Sequence, residues 1–121
     1  MAADREIEGR NKALVRQIFE EVIPSPELPA DIERLIAADF VDHDPPVPER
    51  ARGVDSFRAT HAYLHQRWPA GPRFTIEDIV AEGDRVAVRW SAGPARAHAW
   101  FRVEDGKLAE RWAIVQRDEE R

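Results

Sequence analysis

The chain has 121 residues, of which 43% are hydrophobic and 34% are charged, and it contains no cysteine. This length suits one domain with its own core. The missing thiols exclude a disulfide scaffold, a thiolate zinc site, an iron–sulfur cluster and a cysteine nucleophile. The net charge of −5 argues against nucleic acid as a partner, because phosphate binding requires a basic face. No apolar run is long enough for a membrane span and the first residues lack an apolar signal core. We therefore expect one cytoplasmic domain over residues 1–121, with no membrane partner.

The first half of the chain predicts three helices and one short strand. Apolar residues recur at helical spacing, and proline-rich or glycine-containing segments interrupt them. The predicted elements are a helix over Arg5–Val22, a short helix that Asp31 caps and that includes Ile32, Leu35 and Ile36, a strand over Phe40–Asp44, a loop over Pro46–Arg52 and a helix over Gly53–Trp68.

The second half predicts four strands. Large and small side chains alternate, and three turn signals, each containing glycine, separate the runs. The strands are predicted over Arg73–Ala81, Arg85–Ala92, Ala95–Val103 and Lys107–Gln116. Helices followed by an antiparallel meander predict an α+β fold with helices on one sheet face. A curved sheet covered in this way encloses a pocket, which is a usual ligand site.

Three titratable residues, Asp42, His43 and Asp44, stand between Phe40 and a double proline. Strand alternation places Asp42 and Asp44 on one side and His43 on the other. A carboxylate at a pocket wall, shielded from water, has a raised pKa and can act as a general base. A carboxylate before proline can equally cap a turn. The residues alone leave both interpretations open.

Two histidines lie four residues apart on the third predicted helix, a spacing that can chelate a metal ion. His61 falls on the apolar face and is expected to line the pocket, with His65 at its rim. No third ligand is evident, so no metal site is predicted. His98 shares a strand face with Trp100 and Arg102, which we interpret as a half-exposed surface or a subunit contact.

The ordered segments NKALVRQIFEEV, FVDHDPP, FTIEDIVAEGDRVAVRW, FRVEDGKLAERW and AIVQ resemble the SnoaL-like polyketide cyclases, and among them a bacterial subgroup of small aldol-condensation enzymes. The wider superfamily is nuclear-transport-factor-two-like and ketosteroid-isomerase-like. The resemblance covers about residues 11–116. It implies a cone of three helices on a highly curved, mostly antiparallel sheet around an internal pocket, and a homodimer. It also implies proton transfer beside a carbonyl, as in aldol cyclisation or isomerisation, with no cofactor and no metal.

The resemblance assigns roles position by position. Asp44 matches the general-base aspartate of the ketosteroid isomerase branch, and His43 matches the histidine of the family's DH-D/N-P pattern. Two acid–base positions of the cyclases fall on Ala99 and Ala113, and a family histidine falls on Arg111. Losing one catalytic proton carrier costs about 10²–10⁴-fold in rate. The usual cyclase route is therefore not expected to operate here.

The resulting hypothesis places Asp44 as the proton-transfer base, with His43 orienting it or shuttling a proton. Arg111 either pairs with Asp44 or holds an acidic ligand. The alanines are expected to widen the pocket. The further pocket-lining residues predicted are Phe19, Phe40, Phe57, His61, Ala99, Phe101 and Ala113.

Three functions remain open. The first is a cofactor-independent enzyme acting on a small carbonyl compound. The second is a non-catalytic protein that binds a small apolar or acidic molecule. The third is a dimerisation module with a vestigial pocket. The convex sheet face that carries Trp100, with Trp90 as a further candidate, is expected to form the dimer contact.

Overall fold

Two α-helices and five strands form the described part of the chain. The computed structural model describes residues 2–48 and 51–117, so positions 49 and 50 of the predicted loop lie outside the described residues. The elements are α1 (Ala2–Gln17), which continues as a π-helical turn over Ile18–Val22, a 3₁₀ turn over Ile32–Arg34, β1 (Ile36–Asp42), α2 (Val54–Arg67), β2 (Thr75–Glu82), β3 (Arg85–Ala92), β4 (Ala95–Glu104) and β5 (Lys107–Arg117).

The prediction of three helices is wrong, because the segment after Asp31 forms a single 3₁₀ turn. Ile36 instead begins β1 and pairs with Leu108 of β5. The Leu108 backbone N–H donates to the Leu35 carbonyl at 2.8 Å. Because of this pairing between segments far apart in sequence, β1 begins four residues before its predicted start at Phe40.

The sheet has the order β1-β5-β4-β3-β2. Every neighbouring pair is antiparallel except β1 with β5, which is parallel. The α+β class and the mostly antiparallel sheet are therefore confirmed. The parallel pair brings the end of β1 beside the middle of β5, with Asp42 opposite Arg111.

The two faces of the sheet differ sharply in β4. The inner face carries small and apolar side chains, and all five are buried: Ala95, Ala97, Ala99, Phe101 and Val103. The outer face carries Arg96, His98, Trp100 and Arg102, and Trp100 is 52% exposed. This alternation is what a strand with one face against a core requires.

Aromatic side chains join the helical layer to the inner face. Phe19 contacts Phe74 edge-on at 5.3 Å and Phe101 at 5.8 Å between ring centroids. Trp90 packs edge-on against Phe74 at 5.0 Å. Trp90 is therefore on the inner face, and the expectation that it shares a surface with Trp100 is wrong.

Gly53 fixes the start of α2 against β1. Its φ is +65°, and its N–H donates to the Phe40 carbonyl at 2.8 Å. A Cβ at this position would lie 2.3 Å from the Ala38 carbonyl oxygen, so only glycine fits. This close approach holds α2 over the sheet. None of the helices in the described ranges is long and apolar enough to cross a membrane.

Candidate functional site

A cavity of about 690 Å³ opens between α2, the π-helical turn and the inner face of β3 and β5. Most of its wall is apolar, formed by Phe19, Pro45, Pro46, Leu64, Trp68, Phe74, Trp90, Ala95, Ala113 and Val115. Five polar or charged residues complete it: Asp44, Thr60, Tyr63, Arg111 and Arg117. An apolar wall with a few polar groups is the usual composition of a small-molecule site.

Arg111 lies beside two aspartates at the end of β1. Its Nη1 donates to Asp42 Oδ1 at 2.9 Å and Oδ2 at 3.0 Å. The same nitrogen donates to the backbone carbonyl of Asp44 at 3.0 Å. The sequence analysis expected Arg111 to pair with Asp44 or with a ligand, and it did not identify Asp42 as the partner. Register explains the pairing, because Asp42 and Arg111 are directly opposite on neighbouring strands.

The Asp44 carboxylate is held by the backbone of β5. Its Oδ2 accepts a hydrogen bond from the Ala113 N–H at 2.8 Å. Its own N–H donates to Asp42 Oδ1 at 3.0 Å, which is the turn-capping bond expected before proline. Asp44 is solvent-exposed at the cavity wall, so the expectation of a carboxylate shielded from water is wrong. Of the carboxylate oxygens, Oδ1 takes part in none of the hydrogen bonds described.

His43 directly follows β1 and lies on the other side of the sheet, away from this cavity. Its ring stacks on Trp112 with centroids 4.8 Å apart, and its Nε2 lies 2.8 Å from Glu110 Oε2. The pKa of the Glu110 carboxyl is lowered, chiefly by the hydrogen bond with His43 and next by the hydrogen bond from Arg102. The alternation predicted for Asp42, His43 and Asp44 therefore holds, and it separates His43 from Asp44.

The structure brings together only some of the predicted pocket residues. Phe19, Asp44, Arg111 and Ala113 line the cavity. Ala99 lies opposite Ala113 in the neighbouring strand. Ala99 does not line the cavity. Neither do four other buried residues that were predicted to line it: Phe40, Phe57, His61 and Phe101.

Sequence reasoning assigned α2 to the pocket through Phe57 and His61, but it missed the residues of α2 and β3 that line the cavity. Thr60, Tyr63 and Leu64 follow each other at helical spacing, a signal that could have assigned them to one face. Trp90 was predicted as a candidate for the dimer contact and not for the pocket. The Thr60 hydroxyl and the Trp90 indole nitrogen are both buried, and within the described residues neither has a hydrogen-bond partner.

The two histidines of α2 bind backbone carbonyls of the loop after the π-helical turn. His61 Nε2 lies 2.8 Å from the Ser25 carbonyl oxygen, and His65 Nε2 lies 2.7 Å from that of Ile23. The two rings are 4.2 Å apart. Burial lowers the pKa of His61, the Ser25 carbonyl opposes this shift, and His65 adds to it. Among residues 2–48 and 51–117, no three metal-ligating side chains form a cluster.

The lowered pKa of His61 predicts that the protein loses stability in mild acid. The unfolded chain binds a proton near pH 6.5, whereas folded His61 binds one only at lower pH. The stability linked to His61 is therefore fully present above about pH 6.5. Below that pH the free energy of unfolding decreases, by at most about 1.4 kcal/mol per pH unit. Urea unfolding at several pH values should show this slope, and His61→Gln should flatten it. His98→Gln, on the outer face, is the control that should retain it.

Comparison with known proteins identifies the class. A family model described as the SnoaL-like domain matches residues 15–111. The chain therefore belongs to the SnoaL-like family, within the nuclear-transport-factor-two-like superfamily. Comparison with curated proteins finds no matching sequence.

Solved structures support the same fold. A candidate SnoaL-like polyketide cyclase from Jannaschia sp. CCS1 is 20% identical, with a TM-score of 0.73 over 90% of this chain and 87% of that one. IdmH, a candidate polyketide cyclase from Streptomyces antibioticus, is 24% identical, with a TM-score of 0.71 over 87% and 91%. A candidate ketosteroid isomerase from Kribbella flavida DSM 17836 is 21% identical, with a TM-score of 0.60 over 94% and 83%.

Proposed function

We propose that the protein binds a small carbonyl compound in the cavity and that Asp44 removes and returns a proton next to the carbonyl, without a cofactor. The observation that carries this proposal is the fixed carboxylate of Asp44 at the cavity wall. Ala113 holds its Oδ2 at 2.8 Å, while Oδ1 takes part in none of the hydrogen bonds described. A positioned carboxylate with a free oxygen is what a general base requires.

The placement of His43 assigns it a different part in this proposal. It stacks on Trp112 and contacts Glu110 on the other face of the sheet. We infer that His43 supports the segment after β1 that holds Asp44 and that it does not exchange a proton with the ligand. Ala99 and Ala113 bring no side-chain acid or base to the site, and Asp44 is the one carboxylate among the residues described as lining the cavity.

The experiment is deuterium exchange into a model ketone. 2-Tetralone is a bicyclic ketone with an apolar body that suits the apolar wall, and its α-protons are acidic. The protein should accelerate their exchange in deuterium oxide above the buffer rate, as measured by NMR. Asp44→Asn should abolish most of that acceleration.

A second candidate is a non-catalytic protein that binds a small apolar or acidic molecule. The observation that favours it is the exposure of Asp44, since water weakens a carboxylate's contribution to proton abstraction. Binding of 2-tetralone without any exchange above the buffer rate would support this candidate. The two candidates share the cavity and differ only in the chemistry of Asp44.

We also propose that the outer face forms a homodimer contact, the feature that a dimerisation module would retain. Large apolar side chains are exposed there, with Trp100 at 52%, Ile114 at 80% and Val80 at 62%. Arg85 contacts the face of Trp112 at 5.3 Å, and Arg102 pairs with Glu110. Aromatic and apolar side chains within a charged rim are typical of protein interfaces.

Ile114→Asp is expected to convert this dimer into a monomer. A symmetric contact contains the substitution once in each copy, and each would bury a charge. Light scattering at micromolar concentration measures the mass of the wild type and the variant. Ile7→Asp changes an exposed isoleucine of α1 and should leave the dimer intact. A monomeric wild type would contradict this proposal.

A further inference from the structure

Arg111 has a guanidinium edge that the described hydrogen bonds leave unused. Nη1 makes all three of them, two to the Asp42 carboxylate and one to the Asp44 carbonyl. A guanidinium carries five N–H donors in one plane. The donors on Nε and Nη2 are therefore engaged by none of the bonds described for the chain.

The position of this guanidinium is fixed. The Asp42 side chain is only 3% exposed, and that of Arg111 is 18% exposed. Asp42 also accepts the backbone N–H of Asp44 at 3.0 Å, which ties both aspartates and the arginine together. Donors that are already in place cost no reorganisation when charge develops on a bound molecule.

We propose that the Nε–Nη2 edge of Arg111 stabilises the enolate oxygen that forms when Asp44 removes the proton. This inference rests on the proposed function and adds a second catalytic residue to it. The bond between hydrogen and the α-carbon breaks, and the proton moves to the Asp44 carboxylate. The electron pair of the broken bond forms a carbon–carbon double bond, and the π pair of the carbonyl group moves to its oxygen, which becomes the enolate oxygen. Arg111 donates hydrogen bonds to that oxygen and keeps its proton.

The charge balance of the site favours this step. One negative charge passes from Asp44 to the ligand oxygen, so the net charge of the cavity does not change. The reverse step returns a proton, or a deuteron after exchange with solvent, to the α-carbon. A ligand that arrives already negatively charged would instead meet the Asp44 carboxylate, which repels it.

Other donors line the same cavity. Thr60, Tyr63 and Arg117 all belong to the wall. Of these candidates, Arg111 is the one with a described hydrogen bond to Asp44 itself. The base and the donor are thus held together on one side of the cavity, as a proton transfer coupled to oxyanion stabilisation requires.

The test uses 2-naphthol, the aromatic analogue of the enol of 2-tetralone. It compares two proteins, Asp44→Asn and the triple variant Asp44→Asn/Asp42→Asn/Arg111→Gln. Their net charges are equal, because the triple variant loses one further negative and one positive charge. The absorbance of bound 2-naphthol is titrated against pH in each. Arg111 should stabilise the anion of bound 2-naphthol. The acid ionisation constant of bound 2-naphthol should therefore be at least about tenfold larger in Asp44→Asn than in the triple variant.

Each result separates the hypotheses. Equal ionisation constants in the two proteins would overturn the inference, and so would failure of 2-naphthol to bind Asp44→Asn at millimolar concentration. If the ionisation constant in Asp44→Asn/Tyr63→Phe is as small as in the triple variant, Tyr63 stabilises the anion, and the inference about Arg111 is also overturned. Absence of 2-tetralone exchange in the wild type, together with the tenfold difference, would refute the proton transfer and retain the oxyanion site at Arg111. Melting curves establish that each variant is folded.

Discussion

Replacing Arg111 with glutamine alone is expected to lower the free energy of unfolding by about 3–5 kcal/mol. Asp42 is nearly buried, and Arg111 is its charged partner at 2.9 Å. Removing the arginine leaves the carboxylate out of water without a compensating charge, which costs far more than the pair contributes. Chemical unfolding of Arg111→Gln and the wild type measures the difference.

The double variant Asp42→Asn/Arg111→Gln should recover most of this loss. It removes both charges and retains amide groups that can hydrogen-bond, including an acceptor for the Asp44 N–H. The exposed pair Arg34–Asp31 provides the control, with side chains 78% and 57% exposed. Arg34→Gln should change stability by less than about 1 kcal/mol. A similarly small change for Arg111→Gln, or no recovery in the double variant, would refute a buried pair.

The local elements of the fold could largely be predicted from sequence, because short-range periodicity determines them. Helical spacing placed the helix ending at Val22 and the helix over Gly53–Trp68 close to their observed bounds. Glycine-containing turn signals placed the three hairpins. The error was the second helix, since its sequence is compatible with a helix and its pairing with β5 is non-local. Propensity does not contain that information.

The candidate site was predictable only in part, for the same reason. The alternation of Asp42, His43 and Asp44 followed from strand geometry alone. The pairing of Asp42 with Arg111 requires the parallel register of β1 and β5, which joins residues 69 positions apart. The cavity wall combines α2, β3 and β5. Helical spacing could have placed Thr60 and Tyr63 on one face of α2, but neither they nor Trp90 could be assigned to the cavity until the packing of those elements was known.

Asp44→Asn is expected to reduce the acceleration of 2-tetralone exchange by about 10²–10⁴-fold. The substitution keeps the shape of the side chain, and the asparagine Oδ1 can still accept the Ala113 N–H. It removes the ability to take a proton. The fold should therefore be retained while the chemistry is lost, and the melting temperature should change little. A fall in the rate constant at saturating ketone, rather than in affinity, would identify Asp44 as the base.

Asp39→Asn is the matched control for this experiment. Asp39 lies on β1, and Asp44 stands two residues beyond the end of that strand. Asp39 is exposed, and its substitution changes the net charge by the same amount. It should leave the exchange rate unaltered, because it is not among the residues that line the cavity. Equal loss in both variants would indicate a general charge effect in place of a specific base. Unchanged exchange in Asp44→Asn would contradict the proposed proton transfer. In that case the cavity would serve binding alone, with the Arg111–Asp42 pair as a structural element of its wall.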